Sequence, residues 1–318
     1  MATRRTLGLR EKRSASALLD DKNHSQLLST GCPTLNAVLG GGIDRIGITE
    51  IAGEAGAGKT QLTLQLMLQV QLPYHLGGLQ GGAVYLYGDT ASAEPALRRL
   101  DQLAAAFAVR FAVQGADRER LKQNVYVLQI DDPDDLWRTI NERMPALLET
   151  APVRLLVLDS VGGVFRSAAD DAISGGGGGA SARSAHGQRA QQLLRLAARL
   201  KQLADTYSIA TVVVNQVTDK PSDEQHRRLA APWEVGACGT PDGGSARVPA
   251  LGPAWSSCVN TRIVLTRREV ATPVVGGPGG AYEATWQRHM HVAWSPRVPA
   301  AEAPFWVKEH GVVGKAVA

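Results

Sequence analysis

The stretch EIAGEAGAGKTQLTLQLML, Glu50 to Leu68, decides how the chain is read. An apolar strand ends at Gly53, a glycine-rich loop follows, and a helical pattern opens at Lys59. Gly53, Gly58, Lys59 and Thr60 satisfy G-x-x-x-x-G-K-[ST], with Glu54, Ala55, Gly56 and Ala57 between the glycines. A backbone that wraps phosphate oxygens needs residues without a Cβ, so that its N–H groups converge. Lys59 then supplies a point charge to the terminal phosphates, Thr60 a hydroxyl for Mg²⁺, and the helix its positive end. The eight residues Gly53 to Thr60 are therefore expected to bind phosphate.

A triphosphate with its metal calls for a further carboxylate. VRLLVLDS, 153–160, supplies Asp159 at the end of an unbroken apolar run. Such a run suits a strand covered on both faces, as in a parallel sheet. Asp159 and Thr60 are the expected metal-side residues, and the expected ligand is ATP with Mg²⁺. Outward from this pair the chain alternates. Strands are expected at 47–52, 82–87, 124–130, 153–160, 209–217 and 260–268. Helices are expected at 59–71, 94–107, 134–149 with a bend at Pro145, and 186–207. Strand–helix alternation of this kind predicts an α/β fold with a mostly parallel sheet flanked by helices.

Composition sets looser bounds. The 318 residues allow one α/β domain with extensions, preceded by a short polar segment over 1–26. The apolar share of 44% is ordinary for a globular chain, and the net charge of +4 permits an acidic partner without demanding one. Three cysteines without metal-like spacing suggest a reducing compartment. No apolar run reaches membrane-spanning length, so no membrane role is expected. The Arg-, Ser- and Ala-rich start would suit an organelle address, but Glu11 and the lack of a cleavage signal argue against one. Two interruptions, at about 163–185 with five consecutive glycines and at 218–253, follow the ends of apolar strands. Open α/β sheets bind their ligands at such ends.

LLSTGCPTLNAVLGGGIDRIGITEIAGEAGAGKTQL, 27–62, resembles the start of the RecA-like core of eukaryotic and archaeal strand-exchange recombinases. The resemblance continues through VLDSVGGVFR, VVVNQVTD, LGPAWSSCVNTRIVLTR and SPRVPAAEAPFWVKEHGV, and covers most of Leu27 to Val312. It implies a RecA-like P-loop NTPase core over 27–318, with the family's separate N-terminal helical domain expected to be missing or reduced. It assigns γ-phosphate sensing to Gln216. It places Asp89 where the family carries the catalytic glutamate, one methylene too short for full reach, so slow hydrolysis is expected. Glu94 is a substitute for that base or simply an acid in the first turn of a helix. Arg99 is a weak match to an adenine-stacking arginine. Ser295, Pro296 and Pro299 match the segment that caps a neighbour's nucleotide, with Trp294 where an acid is expected.

The family also turns its two long loops toward DNA. The first carries Arg166, Arg183 and Arg189, which can follow phosphates without reading bases. The second carries Lys220, Arg227, Arg228 and Arg247 against five acids, so charge gives it no electrostatic case. Trp233 there is either a stacking group or a residue packed on its own surface. The resemblance implies recombination repair of DNA breaks, contact with single-stranded or branched DNA, and a second Rad-type recombinase paralogue as heterodimer partner. It also implies work beside the main strand-exchange recombinase, in the nucleus or, less directly, the cytoplasm or mitochondrion. A weak DNA-dependent ATPase, a pseudo-ATPase adaptor and a small-molecule P-loop kinase are the competing activities.

Overall fold

The computed structural model describes residues 27–88, 90–112, 115–165, 179–219, 247–273 and 282–314. Ten strands form the sheet, in the order β10-β9-β8-β7-β1-β5-β4-β2-β3, with β6 beside β5. The parallel part comprises β1 (Thr49–Gly53), β2 (Gly82–Tyr87), β3 (Val125–Gln129), β4 (Val153–Asp159), β5 (Ala210–Asp219) and β7 (Thr261–Pro273). On the β7 side, β8 (Tyr282–Trp294), β9 (Ala301–Lys308) and β10 (Gly311–Gly314) continue the sheet as antiparallel strands. β6 (Arg247–Pro249) also runs antiparallel to its neighbour.

Alternation along the central strands loads both faces. Leu155 and Val157 belong to one core with Leu62, Leu66 and Phe107, whereas Leu156 and Leu158 belong to another with Leu193, Leu196 and Leu200. The first core lies under α2 (Lys59–Gln69) and α3 (Thr90–Arg110); α1 (Pro33–Val38) packs beside β9. α4 (Arg118–Gln123) leads into β3, its start capped by the Asp117 side chain. The second core lies under α5 (Pro133–Arg138), α6 (Met144–Thr150), α7 (Gly179–Tyr207) and α8 (Gly252–Ser256).

α2 is enclosed on every side, so even its polar Gln65 and Gln69 are buried. Their amides replace water with backbone partners: Gln65 donates to Thr30 O at 2.6 Å and accepts from Val312 N at 2.6 Å, and Gln69 donates to Leu76 O at 2.7 Å. Gln65 is thereby paired at both its amide nitrogen and its oxygen, which fixes α2 against the segments around Thr30 and Val312.

The expected strands and the P-loop helix lie where the pattern places them. Three differences stand out. The expected helix 134–149 is broken by a π-helical turn, Thr139–Arg143, just before Pro145, which lacks the N–H an uninterrupted helix would use. α7 begins at Gly179, seven residues before its apolar repeat, within the span read as a loop. β8, β9 and β10 were not expected. Most of the five-glycine interruption and of 218–253 lies outside the described residues, as do residues 1–26. Among the described residues no helix is long and apolar enough to cross a membrane.

Candidate nucleotide site

The site is assembled at the ends of β1, β5, β4 and β2. β1 lies between β5 and β7, so Gly53 is opposite Gln216 on one side and Leu265 on the other. A Cβ on Gly53 would meet the Leu265 carbonyl oxygen at 2.4 Å, which explains the glycine without reference to any ligand. Gly56 and Gly58 adopt φ of 74° and 101°, values that side chains disfavour, and the loop turns directly into α2. Ala55 and Gly56 are exposed, and Ala57 and Gly58 are buried beneath them.

Lys59 opens α2 and folds back over the loop. Its ammonium donates to Gly53 O at 2.7 Å and Glu54 O at 2.8 Å. Burial lowers its pKa, against the raising pull of Asp159 and Glu54. Across the cleft, Thr60 Oγ1 donates to Asp159 Oδ2 at 3.1 Å and the Tyr85 hydroxyl donates to the same oxygen at 3.2 Å. Tyr85, on β2, was not singled out from the sequence, although the Tyr-Leu-Tyr end of an apolar strand is a usable cue. Burial, then the Asp159 charge, drives its pKa up.

These groups surround a cleft of about 640 Å³, lined among others by Lys59, Thr60, Tyr85, Tyr87, Asp159 and Gln216. That volume suits a nucleotide-sized ligand. The positive-φ loop, the desolvated ammonium and the hydroxyl–carboxylate pair fit a polyphosphate with a hard cation; Thr60 and Asp159 offer the oxygen donors such an ion takes.

Burial raises the Asp159 carboxyl above the ordinary carboxylate range, against the lowering pull of hydrogen bonds from Thr60 and Tyr85 and of the Lys59 charge. An acid with a raised folded pKa holds more protons folded than unfolded. Its stability contribution is therefore present in acid and is lost as pH rises through the interval between the two values. Asp159→Asn is expected to unfold at higher temperature than the parent at neutral pH without nucleotide, the gap closing toward about pH 4. The same variant should lose about tenfold or more of the Mg²⁺-dependent gain in ATP affinity. Thermal melts across pH and titration calorimetry with and without Mg²⁺ measure both.

The other sequence candidates separate clearly. Gln216 is exposed on β5, level with the end of β1 and three residues before β5 ends at Asp219, and it lines the cleft between the loop strand and the Asp159 strand. Asp89 and Arg166 lie outside the described residues, as do Lys220, Arg227, Arg228 and Trp233. Arg183 lies in the early turns of α7, and Arg189 is half-buried further along it. Glu94 is an exposed residue of α3 in an ion pair with Arg98 at 2.5 Å; it does not line the cleft, and because the helix begins at Thr90 it is not in the first turn either, so neither expected role is met. Arg99 is not available to stack on a base: it donates to Gln61 Oε1 at 2.9 Å and to the carbonyls of Lys308 and Glu309 at 2.5 and 2.9 Å. Sequence reasoning also missed Arg267 and Arg288, which reach the loop from the β7–β8 ribbon. Arg288 Nε donates to Gly56 O at 3.2 Å, and an added Cβ on Gly56 would meet Arg267 Nη1 at 2.5 Å.

Comparison with known proteins gives the following. The family described as Rad51 matches residues 22–234. The DNA repair protein XRCC3 of Bos taurus is 35% identical over 91% of this chain and 75% of its own length, and that of Mus musculus 31% identical over the same shares. The DNA repair protein XRCC3 homolog of Arabidopsis thaliana is 30% identical over 90% of this chain and 92% of its own length.

Proposed function

The chain belongs to the Rad51 family of recombination repair proteins, and from that premise we propose that it is an ATP-binding paralogue acting with partner paralogues on broken DNA. The observation that carries the proposal is the convergence of Lys59, Thr60, Asp159 and Gln216 on one cleft. β5 lies between the loop strand and the Asp159 strand, with Val214 opposite Asp159 and Gln216 opposite Gly53. Gln216 there is suited to register the terminal phosphate and to move the chain beyond β5, residues 220–246, which takes the position of the family's second DNA loop. A small-molecule kinase has no use for such a coupling.

Bound ATP with Mg²⁺ supplies the charge whose presence or loss distinguishes two states of the site. Gly53 to Gly58 hold its phosphates with backbone N–H groups, Lys59 contributes the cation, and Thr60 and Asp159 orient the metal. Asp89 takes the slot of the hydrolytic base, where a shorter carboxylate slows turnover. Arg166, Arg183 and Arg189 are the proposed DNA contacts of the first loop. Partners of the same recombinase class, a heterodimer above all, and the main strand-exchange recombinase complete the reading, with action in the nucleus and one ATPase core from residue 27.

A second reading, a pseudo-ATPase adaptor, is favoured by Glu94, which is engaged with Arg98 rather than with the cleft. The discriminating experiment purifies the chain with and without candidate paralogues. It then measures ATP-dependent binding to single-stranded and branched DNA together with phosphate release. DNA-stimulated release, even at a few per cent of a full strand-exchange enzyme, supports the first reading. Stable complex formation with ATP bound and no turnover supports the adaptor. Absence of any ATP binding in both preparations overturns both.

A further inference from the structure

A second cluster of chemistry lies away from the nucleotide cleft, on the opposite face of the antiparallel ribbon. Met290 and Val292 of β8, and Ala303 and Phe305 of β9, point into the first core. The two-residue period of a strand therefore turns His289, His291 and Glu302 to the other face. Glu302 is directly opposite His291 across the β8–β9 pair. One ligand-type atom from each of the three lies within 4.8 Å of the others.

We infer that His289, His291 and Glu302 form a binding site for a divalent transition-metal ion of the zinc class. Two imidazoles and one carboxylate are a known zinc donor set, leaving a fourth position open, and mixed nitrogen and oxygen donors select zinc over magnesium. The second observation that points to a ligand is His289 Nδ1, buried yet without a hydrogen-bond partner. A buried, unpaired ring nitrogen costs free energy that coordination would return. His291 Nδ1 and Glu302 Oε2 are 2.8 Å apart, and Thr266 Oγ1 lies 3.4 Å from His291 Nε2. The hydroxyl is placed to fix the ring, as partners of metal-ligating histidines do.

A plain cross-strand ion pair between His291 and Glu302 is the competing account. That pair engages one edge of His291 and leaves the His289 ring, whose ligand-type atom is within 4.8 Å of both, outside it. Arg268 repels a cation, but its side chain is exposed and its field is screened by water and salt. Nor does the ion-pair account give His289 a partner.

The site has a place in the architecture. The inner face of the same ribbon supports the phosphate loop: Arg288 bonds Gly56, and Phe305 carbons lie 3.3–3.4 Å from where a Cβ of Gly58 would be. An ion bridging β8 to β9 on the outer face cross-links the wall against which that loop rests.

The test titrates the full chain with Zn²⁺ by calorimetry, and with Co²⁺ by visible absorption, in millimolar Mg²⁺. One saturable equivalent with micromolar or tighter affinity is expected, together with a zinc-dependent rise in melting temperature. His289→Gln/His291→Gln should weaken binding by about a hundredfold or more and abolish the shift. Glu302→Gln, on a side chain that is 61% exposed and tolerant of change, should weaken it by about tenfold or more even if the double variant does not fold. Absence of saturable binding, or binding of equal strength in the variants and hence at other histidines and cysteines, overturns the assignment.

Discussion

Replacing Lys59 by alanine is expected to weaken ATP binding by about a hundredfold or more while changing the stability of the nucleotide-free chain by no more than about 1 kcal/mol. The two halves of this result have different causes. In the free protein the ammonium is held by the carbonyls of Gly53 and Glu54, two modest bonds that water can replace in an open cleft. Burial also lowers the Lys59 pKa, so folding disfavours its charged form, and below the ordinary lysine value this is a cost that alanine removes. These contributions oppose each other and leave little net change. With a polyphosphate bound the balance differs, because a desolvated cation facing anionic oxygens cannot be replaced by bulk water without a loss of about 2–5 kcal/mol. Titration calorimetry at fixed Mg²⁺ reads the first half, and denaturant unfolding reads the second. Unchanged ATP affinity removes Lys59 from the phosphate site. Loss of folding makes it a brace for the loop instead.

What the sequence revealed and what it hid follow from how local each signal is. The loop from Gly53 to Thr60 is legible because its residues act through their own backbone and an adjacent helix start. Asp159 is legible because an apolar run buried on both faces ends in a carboxylate. β8 and β9 are a different case. Their sequences, YEATWQRHMHVAW and AEAPFWVK, mix apolar and polar residues on a period of two, with aromatic, charged and proline residues interrupting it. They become strands because β8 pairs with β7 and β9 with β8, long-range events that no local window contains. Arg99 misled for the opposite reason: an Arg-Leu pair fits a motif locally, yet the side chain is claimed by carbonyls more than two hundred residues away. Trp294 occupies the slot where the resemblance expects an acid. Its ring lies 3.9 Å from the Arg262 guanidinium carbon, so it covers a buried cation. Tyr85 and Arg288 share this character, since each matters through a partner distant in the chain.

The largest stability effect is expected from Arg262→Ala, at about 3–5 kcal/mol, or roughly 10 °C in melting temperature. Glu50, on the loop strand, is wholly buried, and it accepts from Asn215 Nδ2 at 2.7 Å, from Trp255 Nε1 at 3.0 Å and from Arg262 Nε. Arg262 also donates to Ser256 Oγ at 2.8 Å and is roofed by Trp294. Three neighbouring strands, β5, β1 and β7, are thus joined to α8 through one carboxylate. Removing the guanidinium leaves that carboxylate in the core with two neutral donors and no cation, the costly half of a broken buried pair. Replacing both partners by apolar residues, Glu50→Leu with Arg262→Met, should cost less than the sum of the single changes, because no orphan charge remains. Denaturant unfolding of the four proteins closes the cycle, and additive losses would show that the pair is not coupled. Asn215 adds a functional readout, since it immediately precedes Gln216. Freed from a fixed Glu50, this part of β5 no longer holds Gln216 at the cleft. ATP binding through Lys59 should then survive in Arg262→Ala at temperatures where the chain is folded, while any ATP-dependent change in DNA affinity is lost. Retention of that dependence would separate the network from the sensor and confine it to stability.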